Sequence, residues 1–89
     1  MRYRAAADAL AATLTDGAVL LNLRTKRYYS LNETGTRIWE LLLEGRTEEE
    51  IIGAMCGEFD VGEDVARREI AMVIAALRAQ DLIVPDDAR

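Results

Sequence analysis

The spacing of apolar positions changes once along the chain, near residue 32. Before it they come in short runs broken by polar turns; after it they recur every three or four residues. The first regime reads as strands. Residues 10–14 are a short apolar stretch, Asp16-Gly17 is a turn signal, and the apolar run 18–23 follows at once. Two such runs around an Asp-Gly pair are the strongest short-range hairpin signal a sequence carries. The polar turn Arg24-Thr25-Lys26 then leads into residues 27–31, where tyrosines beside serine and leucine favour extended chain over helix. Three strands with short turns make an antiparallel meander. Its first strand is the weakest element, because the alanines of residues 5–12 suit helix as readily as strand.

The second regime reads as three helices. Asn32 is a good N-cap and Glu33 suits the positive end of a helix. Ile38, Trp39, Leu41, Leu42 and Leu43 supply an apolar face, and Gly45 a C-terminal stop. Thr47 and Glu50 stand in capping-box spacing, the hydroxyl accepting from the third amide while the carboxylate reaches back. They open a helix carrying Ile51, Ile52, Met55 and Cys56, which ends near residues 57–59. A third helix begins at Gly62-Glu63-Asp64 and runs to about Gln80. An apolar tail follows and stops at Pro85, the only proline. The layout is α+β: a three-stranded antiparallel meander followed by three helices.

The third helix carries more apolar surface than one core contact needs. At 100° per residue, Ala66, Ile70, Val73, Ile74 and Leu77 form an ordinary core stripe. A second band of Val65, Glu69, Met72, Ala76 and Ala79 flanks it, while Arg67, Ala71 and Arg78 face away. Small and pliable side chains of this kind suit a groove that accepts another chain. Packing on another element of the same domain explains the band equally well. The third strand poses a related choice. Its open edge is either guarded, with Arg27 as the guard, or filled by an extended peptide.

Composition narrows the chemistry. The 89 residues suffice for one domain spanning residues 1–89, and 51% apolar with 30% charged residues is a globular rather than disordered balance. The absence of histidine removes the commonest general base and zinc ligand, and a single cysteine removes disulfides and CxxC redox chemistry. Cys56 falls where a core residue of the second helix is expected, so a structural thiol is the plain reading. No catalytic role, cofactor or metal is expected. The basic start of the chain lacks a signal peptide's apolar core, and no run approaches the roughly 18 residues that span a bilayer. A cytoplasmic protein with no membrane partner is expected. Residues 1–46 carry a net charge of +2 and residues 47–89 a net of −7, giving −5 overall. So acidic a helical half opposes binding to a phosphate backbone.

The order of these pieces resembles the PqqD-like family. Asp16-Gly17 comes first, then an apolar strand, the turn at Thr25, and Tyr29-Ser30-Leu31-Asn32. Gly35 stands two residues before Arg37-Ile38-Trp39, and Thr47-Glu48-Glu49-Glu50-Ile51 opens the next helix. Each piece is weak alone; their order and spacing over nearly the whole chain are specific. The resemblance implies a winged-helix-like recognition element of systems that make ribosomally produced, post-translationally modified peptides. In such domains a precursor's leader peptide adds to the third strand and lies against the third helix. Carried onto this sequence, Arg27, Tyr28, Tyr29, Ser30 and Leu31 would make the ladder. Val65, Arg68, Glu69, Met72, Val73 and Ala76 would form the helix wall, with Tyr29, Leu31 and Val73 shared with the core.

The resemblance further implies a partner, either the leader peptidase of a lasso-peptide pathway or another maturation enzyme. A PqqD-type chaperone for a radical-SAM enzyme is the near alternative. The partner's surface would be Glu48 to Glu50 or the basic turn near Lys26. A winged-helix DNA-binding regulator is the alternative from another class, disfavoured by the mixed charges of the third helix. A monomer or weak homodimer is expected.

Overall fold

The computed structural model describes residues 2–86. The elements run β1 (Tyr3–Ala5), β2 (Ala9–Leu14), β3 (Gly17–Asn22), β4 (Arg27–Asn32), α1 (Glu33–Leu43), α2 (Glu48–Glu58), α3 (Glu63–Ala79) and β5 (Ile83–Pro85). The meander is present as β2-β3-β4, antiparallel throughout. The alanine-rich segment resolves into strand rather than helix, divided between β1 and β2.

The Asp-Gly signal locates the first hairpin for a different reason than turn geometry. The turn is made by Thr15 and Asp16, neither with positive φ, and Gly17 already pairs with Leu14 as the first residue of β3. A Cβ on Gly17 would lie 2.2 Å from the carbonyl oxygen of Leu31. Glycine is required there because β4 passes so close. At the second hairpin Lys26 takes a φ of 63°, and its amide donates to the Asn22 carbonyl at 2.8 Å.

Two further strands lie outside the meander. β1 and β5 pair antiparallel, Tyr3 with Pro85 and Ala5 with Ile83, and so join the two ends of the described chain. The apolar tail is therefore a strand, and Tyr3, Leu82 and Ile83 belong to the core. The Arg78 guanidinium lies over the Tyr3 ring, 5.9 Å from its centroid.

The inner face of the meander, with Ala18, Leu20 and Leu31, packs on α1, and α2 and α3 close the core behind it. Leu20, Ile38, Leu42, Ile51, Ile70 and Leu77 are fully buried. The starts of α1 and α2 are capped as their sequences suggest. Asn32 Oδ1 accepts from the Gly35 amide at 2.8 Å, and the Thr47–Glu50 box closes in both directions. Its bond to the Thr47 amide holds the Glu50 carboxyl below the usual carboxylate range. Arg37 grips Glu58 through two bonds of 2.7 and 3.0 Å, tying α1 to the end of α2. Arg67 bridges Glu49 on α2 and Glu63 on α3. These guanidiniums hold the Glu58 and Glu49 carboxyls below their ordinary value. No helix among the described residues is long and apolar enough to cross a membrane.

Candidate functional site: an open strand edge beside α3

β4 has a neighbour on one side only, which leaves its other edge bare. Two hydrogen bonds show which residues own that edge. The Asn22 carbonyl accepts from Lys26 on the β4 side, while the Leu23 amide donates to Asp8 on the β2 side. Backbone groups alternate in direction along an antiparallel strand. Leu20 and Ala18 therefore face β4, and their partners Tyr29 and Leu31 face β3 in return. Tyr28 and Ser30 are left with N–H and C=O groups directed away from the sheet. These are the groups a further strand would pair with.

The five β4 residues named from the sequence thus divide by role. Tyr28 and Ser30 offer backbone, and their exposed side chains lie on the outer face of the sheet. Tyr29 and Leu31 turn their side chains inward, Tyr29 half-buried and Leu31 buried, so only side chains remain for an incoming strand. Arg27 sits at the far end, its amide held at 3.3 Å by the Thr25 hydroxyl.

Beside the edge lies a groove between β4 and α3. Tyr29, Ser30, Leu31, Asn32, Glu69 and Val73 line it. Its floor is tight: a Cβ on Gly35 would lie 3.0 Å from a Leu31 methyl. Further along α3 a second hollow of about 70 Å³ is walled by Ile38, Met55, Val61, Val65, Glu69 and Ile70, and is predominantly apolar. Glu69 borders both. The helix wheel separated these faces well, since Ala66, Ile70, Ile74 and Leu77 are buried while Val65 and Met72 are 43% and 67% exposed.

Of the six wall residues named from the sequence, Val65, Glu69 and Val73 line these hollows. Arg68, Met72 and Ala76 stand outside them, on the same helix. Asn32 and Gly35 in the groove, and Ile38, Met55 and Val61 in the hollow, were not named as site residues. Asn32 and Gly35 carry visible cap and junction signals; the hollow is assembled from α1, α2, α3 and a loop, and leaves no local trace in the sequence.

The remaining cations of α3 are engaged within the domain. Arg67 is bonded to Glu49 and Glu63, and Arg78 covers Tyr3. Cys56 is half-buried against the core. Among the described residues no cluster of carboxylate or sulfur ligands is placed to hold a metal ion.

An unpaired strand edge beside an apolar helix wall is the geometry of small domains that take up an extended peptide as an added strand. Residues 17–83 match the family described as Coenzyme PQQ synthesis protein D, and the chain belongs to this PqqD family. Two solved structures are similar over 96% of the chain. One is described as TbiB1 in complex with the TbiA(beta) leader peptide, with 33% identity, 99% of that chain covered and a TM-score of 0.85. The other is described as lasso peptide synthetase B1 complexed with the leader peptide, with 27% identity, 100% of that chain covered and a TM-score of 0.86. No curated protein is a significant match to the sequence.

Proposed function

We propose that this protein binds the leader of a ribosomally made precursor, of the lasso-peptide kind, and presents it to a leader peptidase or another maturation enzyme. The leader adds as a strand to β4 and lies against α3. The observation that carries the reading is the outward-facing backbone of Tyr28 and Ser30 beside the groove lined by Tyr29 and Val73. Two leader-bound structures similar over almost the whole chain support it. Each ladder bond adds about 0.5–1.5 kcal/mol, and each apolar leader side chain that becomes buried adds roughly 1.5–3 kcal/mol. The covalent chemistry is left to the partner, and the protein is a cytoplasmic binding component.

The acidic run at the start of α2 is poorly suited to recruiting that partner. Glu50 is used by its capping box and Glu49 by Arg67. Lys26 makes no ion pair among the described residues and stands on the β3–β4 turn, which favours the basic turn as the partner's contact. The DNA-binding alternative is weakened in the same way, since Arg67 and Arg78 are both occupied and Arg68 is the one cation of α3 left free among the described residues.

The test uses fluorescence anisotropy with two labelled leaders: TbiA(beta), and that of a candidate precursor from the same genome. Saturable binding at roughly micromolar concentration is expected for the cognate leader. Ser30→Pro removes a donor that β3 does not use, so the domain should fold with an unchanged melting temperature and bind the leader about tenfold or more weakly. Equal affinity in a folded Ser30→Pro protein would rule out strand addition at β4.

A further inference from the structure

We propose that Glu69 is the specificity-determining residue of the groove, selecting peptides that carry a lysine or arginine one residue removed from an apolar anchor. The proposal rests on the strand-addition reading and concerns which peptides the edge accepts.

Glu69 borders both the strand-side groove and the apolar hollow, and no other side chain carrying a full charge lines either one. One turn away along α3 stand Val65, Ala66, Met72 and Val73. Across the groove β4 offers Tyr29, Ser30, Leu31 and Asn32, and α1 offers Thr34, Gly35 and Ile38. Arg68 is adjacent in sequence but lines neither hollow. Glu49, Glu58 and Glu63, by contrast, each have an arginine within 2.9 Å. Glu69 makes no ion pair or side-chain hydrogen bond among the described residues and is exposed to water.

An exposed carboxylate on an apolar wall costs little while water solvates it. A strand laid along β4 would cover the groove and remove that water. A carboxylate desolvated without a cation is strongly disfavoured, whereas a paired one is tolerated. The same residue therefore attracts one class of peptide and penalises the rest, which is how specificity is built. Lysine and arginine fit for a second reason: an aliphatic stem can lie along Val65 or Val73, one turn from Glu69, while the charged head reaches the carboxylate.

Spacing follows from strand geometry. Side chains facing α3 recur at every second residue of an extended peptide. A residue entering the hollow and one meeting Glu69 are adjacent on that face, so they are separated by one residue in sequence.

A displayed library of random twelve-residue peptides, selected against the full-length protein, tests this directly. Enrichment of lysine or arginine one residue removed from an apolar residue is expected, with affinity that falls as salt rises. Synthetic versions of the selected peptides should bind Glu69→Lys about tenfold or more weakly, and exchanging their basic residue for glutamate should restore binding to that variant. Circular dichroism confirms that the variant is folded, as an exposed position predicts. Enrichment of apolar anchors without a basic residue, or equal affinity for Glu69→Lys, would overturn the role of Glu69 and leave strand addition standing. Selected peptides that bind Ser30→Pro and the unchanged protein equally, or no enrichment, would overturn both.

Discussion

Asn22 shows how much one side chain settles. It lies in an apolar run where a polar residue reads as the solvent-facing member of a strand, yet it is only 1% exposed. Its carboxamide explains why. Nδ2 donates to the carbonyls of Gln80 and Asp81 at 3.1 and 3.0 Å, and Oδ1 accepts from the amides of Arg24 and Thr25 at 2.9 and 3.2 Å. One residue thereby shapes the β3–β4 turn and pins it to the end of α3, which fixes the spacing between β4 and the helix that walls the groove. Asn22→Ala leaves part-buried backbone donors and acceptors without their side-chain partner, and each such group, where water cannot reach it, costs about 1–3 kcal/mol. A loss of roughly 2–4 kcal/mol in urea unfolding is expected. A change under about 0.5 kcal/mol would show that water replaces the carboxamide at no cost. Nothing in the sequence marks this asparagine, because all four partners are backbone groups and two of them lie some sixty residues away.

At the scale of elements, legibility follows the range of the interaction. The capping box, the Asn32 cap, the hairpin signal and the α3 stripe are local, and all are readable in the sequence; so are the starts of the three helices. β1 and β5 are not, since three-residue strands show no periodicity and their pairing spans the chain, Tyr3 to Pro85. The site divides the same way. The open edge of β4 and the spare band on α3 were legible, whereas the hollow beside Val65 needs Ile38, Met55 and Val61 to meet. The β1–β5 pair also has work to do. Leu82 and Ile83 are 1% and 3% exposed, and the Leu82 amide donates to the Leu77 carbonyl at 2.9 Å, holding the tail against the end of α3. Ile83→Ala removes buried methyl groups and should cost about 2–4 kcal/mol in denaturant unfolding. Its effect on leader affinity should be small, because the residue lies outside the groove. A large loss of affinity without loss of stability would mean that the tail belongs to the binding surface.

At the scale of the whole molecule the charge is arranged by half. The strand half is slightly basic, and the net −7 of residues 47–89 falls on α2, Asp60 and residues 80–89, while the acidic and basic residues of α3 cancel. The carboxylates there serve two different ends. Glu49, Glu50 and Glu58 are bonded to Arg67, to the Thr47 amide and to Arg37, and all three are held below the ordinary value of 4.5. Glu63 and Asp81 are paired with Arg67 and Arg24, whereas Glu48, Asp60, Asp64 and Glu69 make no ion pair among the described residues and add only repulsion. Acid therefore acts in two opposing ways, removing the specific bonds and relieving the repulsion. Distance decides between them. The Arg37–Glu58 and Arg67–Glu49 contacts are 2.7 and 2.9 Å, whereas repulsion between exposed charges is largely screened beyond about 10 Å at 0.1 M salt. The bonded groups should dominate. A carboxyl whose value is depressed by folding contributes stability that is fully present above its unfolded value. That stability is lost as pH falls through the lower folded value. Thermal unfolding at 0.1 M salt should give a melting temperature that is level down to about pH 5 and declines steadily below it. Glu50→Gln keeps the shape of the cap but not its titration, so its melting temperature should start lower and decline less on acidification. If acid instead raises the melting temperature, relief of repulsion outweighs the caps and bridges, and the helical half is held together by its apolar core alone.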